Sequence, residues 1–208
     1  MAKKADKAPV DKLQYERALQ EKGFKYIAGV DEVGRGPLAG PVVCAAVVMP
    51  LGEADIIDGV DDSKKLSAKK REKLSALIKE KALCYCIFEV DEKRIDEINI
   101  LQATREGMKN ALLGLNVPPE VVITDGNMTL DIPFPQSSIV HGDALSYSIG
   151  AASIIAKVHR DALMDEYAKT YDGYGFERNK GYGTAEHIKG IKEKGLCPIH
   201  RRTFTKNF

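Results

Sequence analysis

The segment from Tyr26 to Met49 constrains the fold more than any other part of the chain. Tyr26-Ile27-Ala28-Gly29-Val30 reads as a buried strand that runs straight into Asp31-Glu32. Gly34-Arg35-Gly36-Pro37-Leu38-Ala39-Gly40-Pro41 cannot be helical, and Val42 to Met49 is a second, wholly apolar strand. Two such strands joined by so short a connection are expected to pair antiparallel. Val121-Val122-Ile123-Thr124 repeats the first pattern, an apolar strand running into Asp125. An ionised aspartate at the end of an apolar strand is costly to desolvate unless a hydrogen-bond donor, a counter-charge or a metal compensates it. If the two strands lie side by side and point the same way, Asp31 and Asp125 meet at one sheet edge, where open α/β sheets commonly bind ligands.

A third acid stands at the start of a helix. Ile139-Val140 leads to a long helix expected from about Asp143, with Leu145, Ile149, Ala152, Ala156, His159 and Leu163 on one face. The positive end of the helix dipole favours an ionised Asp143 there. No matching Cys or His pair accompanies these acids, so a metal site here would be all-oxygen, suited to magnesium or manganese. Taken singly, each acid also has a plainer reading. Asp125 opens the turn Asp125-Gly126-Asn127, and Asp143 is an N-cap.

The remaining elements complete one α/β domain with a mixed sheet. Residues 1–22 read as an N-terminal arm with a short charged helix from Asp11 to Lys22, and residues 23–208 as the main domain. A helix is expected from about Ala68 to Lys81 with Ser67 as N-cap, a strand from Leu83 to Val90, and a helix from Ile100 to Leu115 ended by Pro118-Pro119. A loop from Tyr171 to Thr184 precedes a last helix, about Ala185 to Lys194.

Charge and cysteine usage narrow the function classes. From Arg178 to Phe208 there are eight basic and two acidic residues, a net +6, so with +1 overall the first 177 residues carry −5. A basic segment beside an acidic one suits a polyanion held next to a cation site, and it also suits a solvated basic helix. Cys44, Cys84, Cys86 and Cys197 show neither zinc-ligand nor disulfide spacing. No apolar stretch approaches the roughly 18 residues of a membrane-spanning helix, and the first residues carry charge where a signal peptide needs an apolar core. A cytoplasmic, monomeric protein without membrane contact is expected.

The run Gly29-Val30-Asp31-Glu32-Val33-Gly34-Arg35-Gly36-Pro37-Leu38-Ala39-Gly40-Pro41-Val42 resembles the signature of the type 2 ribonucleases H. Further elements follow in that family's order: Asp62-Ser63-Lys64-Lys65-Leu66, Thr124-Asp125-Gly126, Gly142-Asp143, Ala151 to Lys157, Lys180-Gly181-Tyr182 and Pro198-Ile199-His200-Arg201. The resemblance covers roughly 180 residues. It implies a ribonuclease H-like fold, a five-stranded mixed sheet flanked by helices with a short C-terminal helical segment. It implies an endonuclease for RNA–DNA hybrids and for ribonucleotides embedded in duplex DNA, using two divalent ions, Mg2+ or Mn2+. By the same resemblance Asp31, Glu32, Asp125 and Asp143 hold the ions, which in such schemes lie roughly 4 Å apart.

The family resemblance further assigns ribose recognition to Gly34, Arg35, Gly36 and Tyr182. Glycine lets peptide groups approach a ligand closely, and the 2′-hydroxyl is what tells RNA from DNA. An ordinary turn and a packing tyrosine are the plainer readings. Ser63, Lys64, Ser146 and Lys157 are assigned to phosphate contacts or support of the acids, with surface or helix-packing roles open beside these, and Arg201 and Arg202 to duplex binding. His141 and Leu145 stand where many relatives carry lysine. The chain stops soon after Phe204, where some relatives continue, so the grip on a duplex is expected from the basic segment. Type 3 relatives, a metal-free enzyme using two of His141, His159, His187 and His200, and a non-catalytic hybrid binder are the alternatives. The type 3 proteins carry an extra N-terminal domain and lack Gly-Arg-Gly.

Overall fold

The computed structural model describes residues 10–207. Helix α1 spans Gln14–Glu21. Strands β1 (Ile27–Val33) and β2 (Val42–Val48) follow, then helix α2 (Ala68–Lys81), β3 (Cys84–Val90), α3 (Glu92–Leu113), β4 (Val121–Asp125) and β5 (Gln136–Ile139). Helices α4 (Gly142–Leu145), α5 (Tyr147–Thr170), α6 (Phe176–Asn179) and α7 (Ala185–Lys194) complete the order. The sheet runs β3-β2-β1-β4-β5, with β1 antiparallel to β2, β2 antiparallel to β3, and β1, β4 and β5 parallel.

Strand β2 has no polar residue because both its faces are covered. Val43, Ala45 and Val47 pack with Ala151, Ala152 and Ile155 of α5 and Leu74 and Ile78 of α2. Cys44, Ala46 and Val48 point the other way, onto Met108, Ala111 and Leu112 of α3. Gly29 permits the closest approach in this sandwich, since a Cβ there would collide with the backbone of Ser148 in α5. Hence Asp31, two residues on and on the same face, is held against α5.

Several elements depart from the sequence expectation, among them α6, which lies inside the expected loop from Tyr171 to Thr184. β1 continues to Val33, so Asp31 and Glu32 lie inside the strand, opposite Ala45 and Cys44. α3 begins at Glu92, where the Asp91 side chain accepts from the Arg94 amide; the helix breaks at Asn99 (φ 66°), whose Oδ1 accepts from Leu101 and Gln102 and starts the expected second half. The helix expected from Asp143 is two helices. Ser146 is extended between them and caps α5, accepting from the Ile149 amide while donating to Glu16 of α1 at 2.6 Å. Glu16 is buried and also accepts from the Ser148 amide. Residues 1–9 of the expected arm, and Phe208, lie outside the described residues.

Candidate active site

The parallel pairing of β1 with β4 ends with Val30 beside Thr124, so the next residues along, Asp31 inside β1 and Asp125 at the end of β4, are neighbours where the pairing stops. Asp31 is only 5% exposed; it accepts from the Glu32 amide at 2.8 Å, and the Ser153 hydroxyl of α5 works against the rise of its pKa. Asp125 accepts from the Gly142 amide at 2.6 Å, which draws the start of α4, and with it the buried Asp143, to the same place. Glu32 points beside Arg35, 3.4 Å away.

These acids perturb one another. Burial, then the charges of Glu32 and Asp125, push the Asp31 carboxyl well above the usual range. Burial also raises Glu32, with Arg35 opposing and Asp125 adding to the rise. Burial, Asp125 and Asp62 raise Asp143. Asp125 thus bears on all three others. The cations at hand are Arg35 and Lys64, whose Nζ lies 3.8 Å from Asp143 with a side chain 80% exposed. Acceptor-rich, carboxylate-only and short of cations, the cluster suits hard divalent ions. Among the described residues no group of three or more His, Cys, Asp or Glu side chains is drawn together closely enough to hold a metal ion by itself. A magnesium-like ion keeps several waters and is bound by one or two carboxylates together with substrate phosphate, so these acids would complete such a site only with those further ligands.

The other expected site residues divide. Ser63 is buried with its Oγ 3.0 Å from the Oγ of Ser153 on α5, away from solvent rather than open to a phosphate. Ser146 is the α5 cap and faces Glu16 rather than the surface. Lys157 donates to Asp161 one turn along α5. Gly34 (φ +93°), Arg35 and Gly36 form the turn after β1, and Tyr182 comes against it: a Cβ on Gly36 would sit 3.6 Å from the Tyr182 ring. Tyr182 is 44% exposed.

Arg201 corrects the expectation of a duplex contact. It is 0% exposed, and its guanidinium donates inward to the carbonyls of Gly34, Arg35 and Gly40. Arg202 is exposed, and its amide is held by Asp96. The rest of the basic segment is less cationic than its composition suggests, because Arg178 pairs with Glu177 and Glu186, Lys180 with Asp165, Lys189 with Glu193 and Lys194 with Asp172.

Several residues near the site escaped sequence reading. Ser153 and Glu16 lie in helices as ordinary polar residues. Arg160 is fully buried on α5, four residues after Ala156 and four before Met164; an arginine on that i, i+4 stripe is the available signal, whereas the expected stripe runs one residue off, through His159 and Leu163. His159 is instead half-buried and bonds Glu89. His187 and His200 are buried together with their Nε2 atoms 3.0 Å apart. The Tyr182 carbonyl can only accept, so His187 donates from Nδ1 and receives at Nε2 from His200, whose Nδ1 accepts from the Cys197 amide.

An open mixed sheet covered by helices on both faces, with four carboxylates crowded where its parallel pair ends, defines the ribonuclease H-like class. The crystal structure of the ribonuclease H2 from Pyrococcus horikoshii OT3 superposes with a TM-score of 0.73 at 30% identity, covering 87% of this chain and 94% of that one. The family model for ribonuclease HII matches residues 28–207. The ribonuclease HII of Ruminiclostridium cellulolyticum is 56% identical over 196 residues, 94% of this chain and 76% of that protein. That of Acetivibrio thermocellus is 55% identical over 194 residues, 93% and 75% of the two chains. The chain belongs to the ribonuclease HII family, which decides against the type 3 alternative.

Proposed function

We propose that this chain is an endoribonuclease that hydrolyses the RNA strand of RNA–DNA hybrids and cuts on the 5′ side of ribonucleotides embedded in duplex DNA, leaving 3′-hydroxyl and 5′-phosphate ends. The observation that carries this reading is the gathering of Asp31, Glu32, Asp125 and Asp143, three of them with raised pKa values, at one end of the sheet. These four would hold two divalent ions, Mg2+ or Mn2+. When bound, such ions supply an activated water and charge to steady the leaving 3′ oxygen.

The chain's own residues do the remaining work. The Glu32 amide fixes the Asp31 carboxylate, and the Gly142 amide fixes that of Asp125. Lys64, exposed beside Asp143, is placed to meet a phosphate, and Arg35 to restrain Glu32. The Gly34-Arg35-Gly36 turn and Tyr182 read the ribose. A pure binder would have no use for acids crowded where phosphate must dock. The metal-free alternative loses its best histidines, since His187 and His200 are spent on each other and burial lowers both pKa values, that of His200 to about 4. No helix among the described residues is long and apolar enough to cross a membrane. A monomer acting on nucleic acid in the cytoplasm completes the proposal. It is tested with a DNA duplex containing one ribonucleotide, with and without magnesium. Cleavage 5′ of the ribose only with the ion is expected, and cutting after chelation or cyclic-phosphate ends would overturn it.

A further inference from the structure

Arg160 and Arg201 are the two largest side chains with no exposed surface, and neither forms an ion pair among the described residues. Burying an unpaired guanidinium is costly unless its donors are satisfied. Here they are satisfied by backbone. Arg201 donates from Nε to Gly40 O at 2.9 Å, from Nη2 to Gly40 O and Gly34 O at 2.7 and 2.6 Å, and from Nη1 to Arg35 O at 3.0 Å. Arg160 donates to Pro41 O at 3.0 Å, Ala39 O at 3.1 Å and Lys180 O at 2.9 Å. Two facing cations therefore clamp one peptide strap, residues 34–41, and Arg160 ties it to the segment that carries Tyr182.

The capture is one-sided. With the carbonyls of Gly34 and Arg35 turned onto Arg201, the amides of Gly34, Arg35 and Gly36 find no acceptor among the described residues. A buried cation behind the strap also polarises those peptide groups toward stronger donation. The strap is closed from its other side by backbone bonds of Leu38 to Gly181 and Arg201, and of Gly40 to Ile199. Burial, and for Arg201 the neighbouring Arg160, lower the two guanidinium pKa values to about 10 and about 9 for Arg160 and Arg201, in keeping with charges set close together for what they hold.

We propose that Arg160 and Arg201 are positioning residues for ribose selection: they take up the carbonyls of the Gly34–Pro41 strap so that its free amides and Tyr182 face the 2′-hydroxyl as one rigid unit. The inference rests on the proposed ribonucleotide-cutting function. Lysine keeps the charge but cannot reproduce a planar fork that meets several carbonyls at once. Arg201→Lys and Arg160→Lys should therefore lower kcat on a single-ribonucleotide duplex by about tenfold or more with little change in KM, because a misplacement near 1 Å can cost about a hundredfold. Cleavage of a long RNA–DNA hybrid, which offers many registers, should fall less, shifting the ratio of the two activities.

Folded lysine variants that keep the wild-type ratio, or that lose both activities equally, would overturn the proposal. Should the variants not fold, nitrogen-15 signals of the two arginine Nε–H groups in the wild-type protein decide without divalent ions. They should shift on adding a duplex with one ribonucleotide and not on adding the all-DNA duplex, and equal shifts would overturn it. A wild-type enzyme that cuts neither ribonucleotide-containing substrate would remove the proposed function and this inference together.

Discussion

The carboxyl end of the β1–β4 pair and the strap of residues 34–41 are separated along the chain by Val33, yet they handle buried charge in opposite ways. At the strand ends, carboxylates accumulate with few cations, and the groups left unsatisfied are acceptors. Behind the strap, guanidiniums accumulate with no carboxylate in ion-pair contact among the described residues, their donors are consumed by carbonyls, and the groups left unsatisfied are amide donors. The first arrangement stays incomplete until cations arrive; the second is complete and presents a preformed face. Under the proposed function, chemistry would belong to a region that must be charged from outside and recognition to one whose charge is used to hold shape.

The largest test of that contrast removes an acid. Asp31→Asn and Asp125→Asn should each lower cleavage by roughly a thousandfold or more, since each removes a proposed ion ligand at constant volume. Metal-free stability should move the other way for Asp31→Asn. Because burial and neighbouring charges raise the folded-state pKa of Asp31, the folded protein holds its proton longer than the unfolded chain does, and stability falls as pH rises from about 4 through the raised value. The asparagine variant lacks that loss, so its melting temperature near neutral pH without metal should equal or exceed wild type. A folded variant with near-normal cleavage would dissolve the distinction between the two regions.

On the recognition side, Tyr182→Ala should reduce cutting of a single-ribonucleotide duplex by about a hundredfold through lost positioning, whereas Tyr182→Phe, missing one hydrogen bond, should cost about 0.5–1.5 kcal/mol. Metal binding, followed by calorimetry, should persist in both. If the alanine variant cuts at the wild-type rate, the ribose is read elsewhere.

A smaller effect is expected from acid. Burial, then His187, lower the His200 pKa to about 4, so the unfolded chain binds the proton that the folded chain refuses between the ordinary histidine value and that point. Stability supplied by the neutral pair is present above about pH 6.5 and is lost as pH falls, by about 2 kcal/mol at pH 5. Hydrogen exchange of the Tyr182 segment should quicken over that window before the strand ends loosen. Simultaneous loosening would show that strap and sheet are one unit.

The smallest change concerns the basic segment. Lys192, Arg202 and Lys206 form no ion pair among the described residues, unlike Arg178, Lys180, Lys189 and Lys194. Arg202→Ala should weaken binding to every duplex alike and reduce the salt slope by about one unit, measured by titration at several ionic strengths. An unchanged slope would leave Lys64 and the α2 side to carry the phosphates.

What the sequence determined by itself was whatever local pattern encodes. Unbroken apolar runs marked β1, β2 and β4 because a sheet covered on both faces needs no polar residue, and the acids that follow such runs stood out as uncompensated. Ser67 was readable as the cap of α2, and a glycine- and proline-rich turn as non-helical, from a few neighbouring residues. Only the tertiary structure decided that Asp125 meets Asp31, through parallel pairing across 94 positions, and that Ser146 breaks a helix to meet Glu16. It likewise turned Arg201 from an expected surface contact into an internal clamp. Hydrophobic periodicity records where apolar side chains are buried, whereas a buried charge is tolerated only because of its partners, and the carbonyls that hold Arg201 lie 161 to 167 positions away along the chain.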